Sequence, residues 1–102
     1  MTMDVQTVFI GALMLCKPGV VDEIIPDLEL DLFDPELRDA FAAVQGYWTA
    51  RGKIDIVEIN MQHPDVAQTL LACVQTCESE CVRIDGEQMQ RWAQLIREQV
   101  AL

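Results

Sequence analysis

Apolar residues recur along this chain at the three- and four-residue spacing of amphipathic helices. The first run ends at Lys17-Pro18-Gly19, because proline and glycine interrupt a helix. A second, short helix is predicted between Pro18 and Pro26. The apolar positions of these two helices are Val5, Val8, Phe9, Ala12 and Cys16, followed by Val20, Val21, Ile24 and Ile25.

The third predicted helix has the clearest boundaries. Asp34-Pro35-Glu36 combines an N-cap residue, a proline at the first helical position and an acid near the positive end of the helix dipole. Gly52 is a natural stop. Between them lies a broad apolar stripe of Leu37, Ala40, Phe41, Val44, Tyr47 and Trp48.

Three further helices are predicted in the second half of the chain. The pairs Asp55/Glu58 and Asp85/Gln88 have the spacing of a capping box, which opens a helix. His63-Pro64 ends one helix and begins another, and residues 81–86 form a connection. The apolar positions are Ile56, Val57 and Ile59, then Val66, Leu70, Cys73, Val74 and Cys77, and finally Met89, Trp92, Ala93, Ile96 and Val100.

One passage alternates as a strand does, with Leu28, Leu30 and Leu32 placed between acids. A lone strand has no partner in this sequence, so we interpret the passage as a tight connector. The sequence therefore predicts an all-α fold, a small orthogonal bundle of five or six short helices that forms a single domain over residues 1–102.

The composition narrows the range of functions that this chain can have. The 102 residues include 17 acids, seven bases and 51% hydrophobic residues, with a formal charge of −10. A disordered acidic tail would be far less hydrophobic. Domains that bind nucleic acid need a basic surface, so we expect no direct contact with nucleic acid. The acidic excess favours protein partners with basic surfaces instead.

The four cysteines raise the question of a metal site. Cys73, Cys77 and Cys81 are spaced so that a continuous helix would carry them on one face, and Cys16 or His63 could complete a zinc site. The spacing differs from the common zinc fingers, and free cysteine is often a buried small hydrophobe. We therefore favour a core role and predict no metal and no cofactor, and keep a small metal or redox protein as an alternative.

The chain has no obvious catalytic or targeting element. No Gly-Lys-Ser/Thr element is present, and no nucleophile can be placed beside the one histidine, so we expect no enzymatic activity. No basic residue precedes the apolar stretch of residues 8–16, which is too short to span a membrane. A reduced, cytoplasmic location and no membrane contact are expected.

Taken together, four segments resemble the N-terminal head domain of DnaB-type replicative helicases. Residues 8–15, VFIGALML, are similar to the family's x-V-L-G-x-L-[ML]-L. Residues 32–35, LFDP, resemble D-F-Y-x-P, and Arg38, Phe41, Ala42 and Val44 resemble the following H-R-x-I-F-x-A-I. Residues 52–59, GKIDIVEI, are similar to G-x-P-I-D-L-[IV]-T-L. Residues 92–98, WAQLIRE, are similar to Y-A-x-I-V-[RK]-E.

The resemblance implies a small all-α head in the collar of the helicase ring, where helicase subunits, the loader and primase make contact. It covers the head alone, so no motor is expected in this chain, which could be a part of such a helicase or a free-standing phage or prophage relative. Self-association is possible, and the Cys73, Cys77 and Cys81 run is not typical of the family.

We accordingly predict a protein-interaction module of DNA replication. Its expected interface combines three acids of the third helix with an aromatic anchor, because adjacent helical residues cannot both face inward. These residues are Asp34, Glu36 and Asp39, with Tyr47 or Trp48. A stand-alone modulator or decoy of the host helicase is a second hypothesis, since a head without a motor can bind but cannot unwind.

Overall fold

A computed structural model describes residues 4–80 and 84–101, and within them the chain forms six α-helices and no strand. The helices are α1 (Val5–Leu15), α2 (Pro18–Ile24), α3 (Pro35–Arg51), α4 (Ile56–Gln62), α5 (Ala67–Glu80) and α6 (Gly86–Ala101). Two 3₁₀ turns, Ile25–Asp27 and Leu30–Leu32, connect α2 to α3. The predicted all-α bundle is confirmed, and the alternating leucines form a connector.

The helix ends follow the local rules that the sequence indicated. Asp55 accepts hydrogen bonds from the N–H groups of Val57 and Glu58 at the start of α4. Asp85 accepts one from the N–H of Gln88 at the start of α6. A further N-cap, Asp4, opens α1 by accepting from two backbone N–H groups.

Helix α3 begins and ends where predicted, but the hydrogen bond at its N-cap residue is not the predicted side-chain cap. Asp34 occupies the N-cap position without a side-chain capping bond. Its own N–H donates instead to Oε1 of the buried Gln6, at 2.8 Å, which ties the start of α3 to α1. At the other end Gly52 has a positive φ and lies in the left-handed region, which glycine adopts most readily.

Helix α1 lies at the centre of the bundle. Every residue from Val8 to Leu13 is buried, so this part of the helix has no solvent-facing stripe, as expected of a helix enclosed by others. It packs against α3, α5 and α6. Three stacked or tilted phenylalanines, Phe9, Phe33 and Phe41, join α1 to the connector and α3, and all are at most 1% exposed.

The contact between α1 and α5 depends on Gly11. A Cβ atom at this position would lie 2.2 Å from the carbonyl oxygen of Cys73 and 2.9 Å from Cβ of Cys77. The first of these atoms belongs to the backbone and cannot swing away, so any side chain at residue 11 would push the two helices apart. Gly11 is therefore required by packing.

Gly11→Ala should destabilise the protein by about 1–3 kcal/mol, because overpacking a rigid contact typically costs that much. Gly46→Ala is the matched control. Gly46 is exposed in the middle of α3 with nothing within 4 Å of an added Cβ. Alanine there should stabilise by about 0.5–1 kcal/mol. Urea denaturation measures both, and equal effects of the two substitutions would contradict the packing role.

Candidate protein-interaction surface

The three acids predicted for the interface are exposed at the start of α3. Asp34 lies at the N-cap, Glu36 in the first turn and Asp39 three residues further. Residues three apart on a helix are neighbours, so Glu36 and Asp39 share a face. The structure thus brings these acids together at one end of α3.

The acidic surface extends into the connector before α3. Residues 22–39 contain eight of the chain's 17 acids and a single base, Arg38. Among the connector residues Glu29 and Asp31 are exposed, as is Leu30 at 39%. Arg38 is turned back, because its Nε donates to the carbonyl oxygen of Phe33 at 3.0 Å. The stretch therefore presents a strong negative charge.

Tyr47 and Trp48 lie away from these acids. Both follow Glu36 by several helical turns, so they lie toward the other end of α3. Tyr47 is buried at 4% exposure, whereas Trp48 is half-buried. The indole Nε1 of Trp48 donates to Oδ1 of Asp22 at 2.7 Å and so attaches α3 to α2.

Tyr47 belongs to a small polar cluster that joins α3 to α4. Its hydroxyl donates to Oε2 of Glu58, and the guanidinium of Arg51 lies 5.7 Å from the centre of its ring. Arg51 also pairs with Glu58 across 3.7 Å. The hydrogen bond to Glu58, followed by burial and the charge of Glu58, raises the pKa of the Tyr47 phenol above its usual value.

Helix α4 exposes an apolar pair that sequence reasoning missed. Val57 is 65% exposed and Met61, one turn later, is 76% exposed. The apolar pattern groups Val57 with Ile59, which is fully buried. The run of Ile56 and Val57 was itself the available indication, since adjacent residues on a helix lie about 100° apart and cannot both face one core.

The three cysteines in the described residues lie in the core or pack against it. Cys73 and Cys77 are 1% and 0% exposed and lie against α1 at Gly11, whereas Cys16 is half-buried at the end of α1. Burial raises the pKa of both Cys16 and Cys73 to about 11. Cys81 lies outside the described residues, and within them no group of three potential ligands is placed to hold a metal ion.

No protein-family model matches the chain, and neither a curated protein nor a solved structure gives a significant match. In residues 4–80 and 84–101, no helix combines the length and the apolar character needed to cross a membrane.

The Tyr47 phenol should ionise above its usual pKa of about 10. Because it is the one tyrosine of the chain, its tyrosinate absorbance is unambiguous. A raised folded pKa means that the stabilisation is complete below the unfolded pKa and is lost as pH rises through the folded one. Glu58→Gln should lower the midpoint, since the charge that opposes tyrosinate disappears.

Glu87→Gln is the control for this titration, because Glu87 is an exposed acid on α6 that contacts Arg91. Its midpoint should match that of the unsubstituted chain. An unchanged midpoint in Glu58→Gln would show that the Tyr47–Glu58 bond does not govern the ionisation.

The thiols of Cys16 and Cys73 should resist alkylation in the folded protein. A thiol of pKa about 11 is almost entirely protonated at pH 8. The thiolate is the reactive form, so iodoacetamide should label both sites at least ~100-fold more slowly than in denaturant. Peptide mass analysis measures the two rates, and labelling of Cys73 at the denatured rate would contradict its burial.

Proposed function

We propose that this chain is a non-enzymatic protein-interaction module of DNA replication, built like the collar head of a DnaB-type helicase. Its partners would be helicase subunits, the helicase loader or primase. Binding would occur through complementary surfaces, with the acidic stretch of residues 22–39 facing a basic partner.

The observation that carries this proposal is the display of charge at the start of α3. Exposed acids follow one another from the connector into the first turns of the helix, while the one base of the stretch bonds to the backbone. Such a surface repels nucleic acid and attracts a cationic protein. Electrostatic complementarity of this kind raises association rates and selects partners.

The choice of DNA replication rests on the resemblance, whose residues have definable places in the fold. Val8, Phe9 and Phe41 are core residues of α1 and α3, and Gly52 and Asp55 are the stop and start of successive helices. These are positions that determine a helical fold. The choice of partner would instead depend on the exposed residues.

The surface is tested by reversing its charge. The double variant Asp34→Lys/Glu36→Lys should weaken binding to the cognate helicase, loader or primase at least ~10-fold, about 1.4 kcal/mol. Binding is measured by biolayer interferometry at two salt concentrations. Because acids at a helix start stabilise it by ~0.3–1 kcal/mol each, circular dichroism must first show that the variant is folded.

A matched control is Glu87→Lys/Glu98→Lys on α6, which changes the net charge equally at exposed positions. This variant should keep at least half of the original affinity. Equal loss in both double variants would overturn the assignment of the surface, and no binding of the original chain to any of the three partners would overturn the proposed function.

An unwinding assay with the same chain and helicase distinguishes a collar module from a decoy of the helicase. A decoy added in excess should inhibit DNA unwinding and co-migrate with the helicase ring. Unwinding that is unchanged at saturating binding would exclude the decoy role and leave the module.

A further inference from the structure

An open groove of about 330 Å³ lies between α3 and the connection from α4 to α5. Its lining comes from two segments that are distant in sequence. The residues are Asp39, Ala42 and Ala43 of α3, with His63, Asp65 and Val66 from the connection.

The groove combines apolar and acidic surfaces. Ala42, Ala43 and Val66 provide small apolar walls, with Ala43 and Val66 each 6% exposed. Asp39 and Asp65 are both exposed, so each segment contributes one carboxylate that reaches solvent. The spacing of residues 39, 42 and 43 places them on one face of α3.

The backbone around the groove is fixed without a ligand. Asp65 lies in a turn in which the N–H of Val66 donates to the carbonyl of His63 at 3.1 Å. The N–H of Ala67 donates to the carbonyl of Pro64 at 3.4 Å, and α4 itself ends with His63 donating to Ile59. A ligand therefore meets a preformed turn and the side of a long helix, so little ordering is required on binding.

Neither carboxylate is used within the fold. Across residues 4–80 and 84–101, the side-chain carboxylates of Asp39 and Asp65 form no ion pair and no hydrogen bond. Both contrast with Glu58, whose carboxylate bonds to Tyr47 and Arg51. Two unpaired carboxylates beside apolar walls suit a ligand with an aliphatic stem and a cationic head.

We propose that this groove receives a lysine or arginine side chain of a protein partner. The methylene stem packs against Ala42, Ala43 and Val66, and the cationic head meets Asp39 and Asp65. The inference rests on the proposed interaction role and specifies the chemistry of the partner. A nucleic acid is the wrong occupant, because its phosphates would approach two carboxylates.

The test uses two short peptides with the ¹⁵N-labelled full chain. Acetyl-Ala-Ala-Lys-Ala-Ala-amide is compared with the same peptide carrying Nε-acetyllysine, which keeps the stem but loses the charge. The lysine peptide should shift amide resonances of residues 39–43 and 65–66 in a saturable manner. The acetylated peptide should bind at least ~5-fold more weakly.

Three variants locate the site. Asp39→Asn and Asp65→Asn should each weaken lysine-peptide binding at least ~3-fold, and both residues are exposed, so the fold should tolerate them. Glu87→Gln removes the same charge from an exposed position on α6, outside the acidic stretch, and should change binding less than ~1.5-fold. Ala42→Met should block the groove without altering charge.

Equal weakening by Glu87→Gln, shifts spread over all acidic surfaces, or full binding to Ala42→Met would overturn the groove proposal. These outcomes are independent of the replication partners. If the chain binds the lysine peptide in the groove but binds none of the three replication proteins, the groove proposal stands and the proposed function is wrong. If the chain binds a replication protein, while Asp39→Asn, Asp65→Asn and Ala42→Met leave binding of the lysine peptide unchanged, only the groove proposal is wrong.

Discussion

The close approach of α1 and α5 at Gly11 determines how the rest of the bundle is arranged. The backbone of α5 at Cys73 occupies the space that a side chain of residue 11 would need. Helix α5 begins directly after the turn at residues 64–66, so the position of α5 also sets that turn. That turn carries Asp65, so the geometry of the acidic groove depends on a contact made in the core.

Local chemistry explains what the sequence could predict. The left-handed Gly52 and the N-caps Asp55 and Asp85 act within a few residues of themselves, so their spacing is sufficient evidence. The contact of Gly11 with Cys73 and the bond from Asp34 to Gln6 join residues far apart in sequence. No periodicity reveals such contacts, because they depend on how the helices are packed.

The candidate interface was predictable to a similar extent. The acids of α3 are exposed, as their polar positions and place at a helix start indicated. The aromatic anchor was harder to assign, because an aromatic ring on a helix can pack in the core or lie at the surface. Tyr47 donates a hydrogen bond to Glu58 and Trp48 donates one to Asp22, so both rings hold helices together. The groove could not be predicted, because it forms between Asp39 on α3 and the turn at Asp65, and helix spacing does not show that these two segments lie together.

The hydrogen bonds that hold the connector also fix the backbone that carries its charged side chains. The connector and α2 are fixed to α3 by bonds from Gln45 to the carbonyl of Leu28, from Trp48 to Asp22 and from Arg38 to Phe33. Neighbouring acids repel one another, and an unsupported acidic segment would spread into solvent. Held in place, the same charges form a fixed field, which under the proposed role would steer an approaching cationic protein and chiefly affect the association rate. A groove that packs against an aliphatic stem acts after contact and chiefly affects dissociation. Under the proposed role, the long-range field and the groove at Asp39 and Asp65 would thus govern different steps of one binding event, and salt would weaken the first more than the second.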